Sequence, residues 1–183
     1  MIIVSGPSGA GKGTLIRRVQ AVFPFVRTAT SATTRPMRPG EQDGREYHFL
    51  TEDEFLLHVG HGDFLEHVTY AGNRYGTLRE EVERHLRDGD SVILEIELRG
   101  ARALRDALPD AVSIFIEPPS MDELIRRLRA RDTEAEADIQ ARLAESLVEL
   151  GARQEFNYQI RNDDLDSAAA EMARIVDAVT RSV

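Results

Sequence analysis

Residues 6–14 read Gly-Pro-Ser-Gly-Ala-Gly-Lys-Gly-Thr and follow directly on the apolar run Ile2-Ile3-Val4. This loop constrains the fold more than any other stretch, because it works only between a buried strand and the start of a helix. Gly6, Gly9 and Gly11 lack a Cβ, so the backbone can curl its N–H groups inward around an anion. The helix expected from Thr14 to about Ala21 would point its positive dipole end at the same spot. Lys12 adds a full charge for the outer phosphates of a nucleoside triphosphate. Gly6, Pro7, Ser8, Gly9, Ala10, Gly11, Lys12, Gly13 and Thr14 are therefore the candidate phosphate-binding residues. A glycine-rich turn of no function is the bland alternative, and the strand before and helix after argue against it. One position departs from the pattern: Gly13 stands where Ser or Thr would offer a hydroxyl to magnesium, and the nearest hydroxyl is Thr14.

A length of 183 residues fits one domain able to bury roughly 70% of its unfolded surface. Without cysteine the chain has no disulfide, thiolate zinc site or cysteine nucleophile. No basic leader precedes the first strand, and no run approaches the ~20 apolar residues of a membrane span, so a cytoplasmic protein without membrane contact is expected. A formal charge of −9 argues against a general nucleic-acid binder.

Short apolar runs alternate with helical patterns, which predicts an α/β sheet with helices on both faces. Core strands are expected at 2–5, about 26–30, 91–96, 112–116 and 158–161. Thr51, Ser120 and Thr133, each with Glu three residues later, match the capping box of a helix start. Helices are expected over 121–131, over 134–156 with Ile139, Leu143, Leu147 and Leu150 inward, and over 165–181. Residues 31–90 break the rhythm with short alternating runs and turns, and read as a small mixed insert suited to a second substrate.

Three further clusters could do chemistry. Arg35 and Arg38 are held between Pro36 and Pro39 and offer planar forks that fit phosphate oxygens. Arg127 and Arg131 are i, i+4 neighbours, and Arg142 can return toward them after a turn at Asp132-Thr133, which suits a lid over transferring phosphates. Salt bridges to Asp122, Glu123 or Glu134 are the simpler reading for Arg126 and Arg129. Glu95 and Glu97 are i, i+2 at the carboxyl end of an expected strand, where they could hold Mg²⁺ through water or accept hydrogen bonds from a base. Glu66 needs a donor, which either a guanine edge or an arginine of the chain would supply. Tyr47 and Tyr75 could be core or could hold a phosphate, and the histidines show no metal-ligand spacing.

Together these clusters resemble the guanylate kinase family. The likeness runs from the first strand through Ser31-Ala-Thr-Thr-Arg35-Pro-Met-Arg38-Pro-Gly40-Glu41, Gly44-Arg-Glu-Tyr47, Phe64-Leu65-Glu66 and Tyr75-Gly76-Thr77. It continues through Leu94-Glu95-Ile96-Glu97 and Arg127-Leu-Arg-Ala-Arg131 to Asn162-Asp163-Asp164-Leu165. The resemblance implies a three-layer P-loop core, a GMP-binding insert at about 31–89 and a helical lid at about 121–154. The core would then be about 1–30, 90–120 and 155–183. It also implies the reaction ATP + GMP giving ADP + GDP with Mg²⁺, in a monomer or homodimer. By matching position, Arg35, Arg38, Tyr47 and Tyr75 would hold the GMP phosphate, and Ser31, Glu66, Thr77 and Glu97 would read guanine. Lys12, Arg127, Arg131 and Arg142 would stabilise the transferring phosphoryl group, Asn162 would lie near adenine, and Thr14 and Glu95 would serve the metal. Glu97, Arg99, Arg74 and Asp132 depart from the residues usual in the family. Two other readings are a P-loop kinase acting on a phosphorylated sugar, which has no use for Glu66, and a binding module, which has no use for Lys12.

Overall fold

The computed structural model describes residues 1–70, 72–129 and 136–181. In chain order its first half holds β1 (Ile2–Ser5), α1 (Lys12–Val22), β2 (Val26–Thr28), β3 (Ala32–Thr33), β4 (His48–Phe49), α2 (Glu52–His61), β5 (Phe64–Tyr70), β6 (Asn73–Leu78) and α3 (Arg79–Arg87). The second half holds β7 (Ser91–Glu95), α4 (Leu98–Ala107), β8 (Val112–Glu117), α5 (Met121–Arg129), α6 (Glu136–Gly151), β9 (Tyr158–Arg161) and α7 (Leu165–Thr180).

All four residues of β1 are buried, as a strand covered on both faces requires. It lies at the middle of a parallel sheet in the order β2-β7-β1-β8-β9. Successive side chains alternate between two cores. Ile2 and Val4 pack with Leu15, Ile16 and Val19 of α1 and with Met172 and Val176 of α7. Ile3 packs on the other side with Leu94, Phe115 and with Leu98 and Leu104 of α4. The result is a three-layer sandwich, and both neighbours of β1 come later in the chain. Such a switch point opens a crevice at the carboxyl ends of the strands, where the glycine-rich loop lies.

The segment between β2 and β7 folds a second sheet, β4-β3-β6-β5, of mixed direction. Its small core stacks Phe55 of α2 on Phe64 of β5 at 4.4 Å between ring centroids. Helix α2 starts on the expected capping box: Thr51 Oγ1 accepts from the Glu54 N–H while the Glu54 carboxylate accepts from the Thr51 N–H.

Two helix expectations need correction. The long helix ends at Gly151 and is followed by a single 3₁₀ turn, Arg153–Glu155. Leu147, expected inward, is 59% exposed; Ser146 and Glu149 take the buried positions. Ser120 caps α5 through the Glu123 N–H, but the Glu123 side chain turns to Arg126 and Arg127 instead of closing the box. Asp132, the Thr133 capping box and Arg131 lie outside the described residues, as does the Ile139 side chain. Among the described residues no helix is long and apolar enough to cross a membrane.

Candidate active site

The loop between β1 and α1 takes the shape its glycines permit. Gly6, Gly9 and Gly11 all have positive φ, and a Cβ on Gly6 would run into the carbonyl oxygen of Ile116. No other residue fits there without moving β8. Helix α1 begins at Lys12, two residues earlier than expected. Lys12 is only 8% exposed, and its Nζ donates to the carbonyls of Gly6 at 2.5 Å and Pro7 at 3.3 Å. The charge is thus held over the loop by the loop itself. Asn162, at the end of β9, is buried and donates from Nδ2 to the Ala10 carbonyl at 2.7 Å. It braces the loop from behind.

Helix α5 lies across the loop's outer side. Arg127 donates to the Glu123 carboxylate at 2.7 Å and reaches the Gly9 carbonyl at 3.4 Å. Glu123 also receives Arg126, and these two guanidinium partners pull its carboxyl down to about 2. The salt-bridge reading therefore holds for Arg126, while Arg127 divides itself between Glu123 and the loop. Gly9, Gly11, Thr14, Arg127 and Asn162 line one open cleft. Arg142 is half-buried on α6, near enough to Tyr70 for their charges to interact.

The second sheet presents the other half of the site. Thr77 and Tyr75 are i, i+2 on β6 and stand opposite Glu66 and Val68 of β5. Glu66 is 6% exposed and accepts a 2.8 Å hydrogen bond from Thr77 Oγ1. Burial raises the Glu66 carboxyl, partly offset by Thr77. Tyr47 and Tyr75 meet edge to face at 5.9 Å, and the Arg35 guanidinium lies 5.4 Å over the Tyr47 ring. Burial, then the charges of Tyr75, Glu95 and Glu97, raise the Tyr47 hydroxyl, so it is a neutral donor. Ser31 is half-buried beside this group, its carbonyl accepting the His48 N–H.

Glu41 is a residue the sequence reading left without a role. Its carboxylate takes Arg35 Nη2 at 2.8 and 3.0 Å and the Arg38 N–H at 2.7 Å. Burial alone would lower the Arg35 guanidinium, but the hydrogen bond and charge of Glu41 outweigh it and raise it. Glu41 therefore fixes the Arg35 guanidinium and the loop backbone at Arg38. Its place in the same loop was the available signal.

Glu95 and Glu97 part company. Strand β7 ends at Glu95, and Glu97 is the residue before α4, where its side chain makes no capping bond. Alternation along one strand therefore does not extend to Glu97. The Glu95 carboxylate lies beside Gly13: a Cβ there would stand 3.4 Å from Glu95 Oε2. Gly13 thus leaves room for this carboxylate next to Thr14, whose Oγ1 accepts from Arg17 at 3.2 Å. A hydroxyl and a carboxylate are the hard oxygen donors that Mg²⁺ prefers, alongside waters and substrate phosphates. Among the described residues no group of three or more His, Cys, Asp or Glu could hold a metal without such help.

The family model described as guanylate kinase matches residues 1–179. The guanylate kinase of Rubrobacter xylanophilus is 51% identical over 176 residues, covering 96% of this chain and 92% of that one. That of Frankia casuarinae is 47% identical and covers 96% of each chain. Among solved structures, guanylate kinase from Anaplasma phagocytophilum is similar with a TM-score of 0.77 and 31% identity, covering 97% of this chain and 84% of that one. The shikimate kinase from Bacteroides thetaiotaomicron, at 15% identity and a TM-score of 0.51 over 96% of this chain and 97% of that one, shares the fold alone.

Proposed function

The chain belongs to the guanylate kinase family and catalyses ATP + GMP giving ADP + GDP, and we propose how its residues divide that reaction. The loop from Gly6 to Thr14 binds the ATP phosphates, with Asn162 bracing it near the adenine. Arg35, Arg38, Tyr47 and Tyr75 hold the GMP phosphate; Ser31, Glu66, Thr77 and Glu97 read guanine. The division into a core (about 1–30, 90–120 and 155–183), an acceptor insert (about 31–89) and a lid (about 121–154) follows the same lines.

A phosphate oxygen of GMP attacks the γ-phosphorus of ATP, the bond to the β,γ-bridging oxygen breaks, and ADP leaves with that electron pair. The attacking oxygen is already anionic, so no general base is required. The protein's work is alignment and positive charge on the spreading equatorial oxygens. Lys12, Arg127 and Arg142 supply that charge, with Arg131 assigned by its match to the family pattern. Thr14 and Glu95 would hold Mg²⁺, which when bound offsets the charge of the ATP phosphates. Tyr47 donates its neutral hydroxyl to the acceptor phosphate. Glu66 accepts from the N–H edge of guanine, a pairing that a base without that edge leaves unmade.

The observation that carries this reading is the buried Glu66–Thr77 pair in a chain that also carries the Gly6–Thr14 loop. A sugar-phosphate kinase has no use for a buried carboxylate there. The test is ATP-dependent diphosphate formation from GMP, AMP, UMP and ribose 1,5-bisphosphate. A clear preference for GMP is expected; preference for any other acceptor overturns the assignment.

A further inference from the structure

Helix α5 is pinned to the phosphate loop by its apolar side. Leu124 and Leu128 are 0% and 3% exposed, and a Cβ on Gly9 would stand 3.2 Å from Leu124 Cδ1 and 3.5 Å from Leu128 Cδ2. The helix backbone is therefore fixed beside the loop. What packing leaves undecided is the Arg127 side chain, whose rotamer freedom is among the largest of any residue. Glu123, one turn earlier, settles it. Its Oε1 accepts from Arg127 Nε at 2.7 Å and from Arg126 Nη2 at 2.6 Å, and its Oε2 accepts from Arg126 Nε at 2.7 Å.

Local sequence alone favours a different use of this carboxylate. A Glu three residues after a capping hydroxyl closes a capping box, as Glu54 does behind Thr51. Glu123 gives its backbone N–H to Ser120 Oγ and its side chain to the two arginines. The position also has an electrostatic cost, because a carboxylate beside a cleft for phosphates repels the ligand. Arg126, 72% exposed on the outer side, offsets that charge with a two-point bond. A guanidinium has five N–H donors in one plane. With Nε held by Glu123, the Nη end of Arg127 is turned to the loop: Nη1 lies 3.4 Å from the Gly9 carbonyl and 4.0 Å from where a Cβ of Gly11 would stand. A separation of 3.4 Å is long for a charged hydrogen bond and is readily exchanged for a phosphate oxygen. Gly9, Gly11, Thr14, Arg127 and Asn162 line the cleft, and Glu123 is not among its described lining residues.

We propose that Glu123 is a positioning residue for phosphoryl transfer: it holds Arg127 by Nε and so presents the Nη fork to the ATP phosphates. The inference rests on the assignment of Arg127 to the transferring phosphoryl group made above. Glu123 itself touches neither substrate. It supplies orientation in advance, so the fork need not be ordered while charge spreads over the equatorial oxygens. An i, i+4 pair kept only for helix stability would leave turnover untouched.

The test is kcat, KM for ATP and for GMP, and the melting temperature of Glu123→Ala, Glu123→Gln, Arg127→Ala and the double variant Glu123→Ala/Arg127→Ala. Glu123→Ala should lower kcat roughly tenfold with both KM values within about threefold, the pattern of an interaction used in the transition state. Its melting temperature should stay within about 4 °C of wild type, as expected for a partly exposed ion pair. Glu123→Gln keeps an oxygen for Arg127 Nε at the same reach and should recover kcat to within about threefold of wild type. In the Arg127→Ala background the Glu123→Ala change should add less than about twofold. Wild-type kcat in Glu123→Ala, a Gln variant as impaired as Ala, or effects that multiply in the double variant overturn the proposal. A fall in KM for ATP at unchanged kcat would make Glu123 only a repelling charge, and overturns it too. Wild-type kcat in Arg127→Ala overturns the assignment of Arg127 and the proposal with it, and so differs from a failure of Glu123 alone.

Discussion

At Gly100, in the first turn of α4, helix propensity and site geometry pull in opposite directions. An exposed helical Gly→Ala exchange stabilises by about 0.5–1 kcal/mol. Here the new Cβ would stand 2.6 Å from Glu66 Oε2 and 3.1 Å from its Cδ. The carboxylate ends a flexible side chain and can move, so the fold survives, but moving takes it off Thr77. Gly100→Ala is expected to keep the melting temperature within about 4–8 °C of wild type and to raise KM for GMP roughly tenfold, the worth of one charged hydrogen bond. An unchanged KM would mean that the pose of Glu66 is unimportant for the base. Lys12 lies at the other extreme of legibility. Its motif spacing is local, and its Nζ donates to the carbonyls of Gly6 and Pro7 in the same loop. Lys12→Ala should lower kcat by roughly 10²-fold or more with an unchanged melting temperature; full turnover in the folded variant would refute its role. Gly100 was silent in the sequence because it matters through the side chain of Glu66, which nothing in its own neighbourhood announces, whereas Glu41 shares a loop with the Arg35 it binds.

The elements were read well where pattern and packing coincide. Strands β1, β7, β8 and β9 stand where apolar runs put them, and α7 buries Met172 and Val176 as its period requires. Helix α6 shows how period and phase separate. Leucines at 143, 147 and 150 suggest one apolar stripe, yet the buried stripe carries Ser146 and Glu149 and leaves Leu147 in solvent. Periodicity counts apolar residues and does not foresee a carboxylate that the packing of α6 buries. Leu147→Gln is accordingly expected to change unfolding stability by no more than about 0.5 kcal/mol in a urea titration. A loss of several kcal/mol would restore the inward reading. Strand β7 ends at Glu95, and Glu97 is the residue before α4, so the strand's alternation does not reach it.

Across the whole molecule, the donor half of the site sits at the carboxyl ends of the parallel sheet, and the acceptor half sits on the second sheet. Their meeting point is the first turn of α4, where Glu66 of one lies against Gly100 of the other. Charge is sorted by place: in a chain of net −9, the proposed roles set Lys12, Arg35, Arg38, Arg127 and Arg142 against the phosphates. With donor and acceptor sites on different units, water has access to the γ-phosphate until both are filled. ATP hydrolysis without GMP should nevertheless run at least ~100-fold slower than transfer, because the transition state lacks the acceptor and the groups aligned with it. Phosphate release compared with GDP formation measures this; comparable rates would mean that the acceptor side adds nothing to alignment. The glycine-rich loop, the parallel core and the reaction class were legible in the chain alone, because these follow from residues adjacent in it: glycines before a lysine, apolar runs, paired arginines. That Glu66 lies against Gly100, and that α6 buries Glu149 in place of Leu147, emerges only in the folded chain. Those contacts join residues from different elements, and burial there turns carboxylates that would be unremarkable in water into groups that must find a donor.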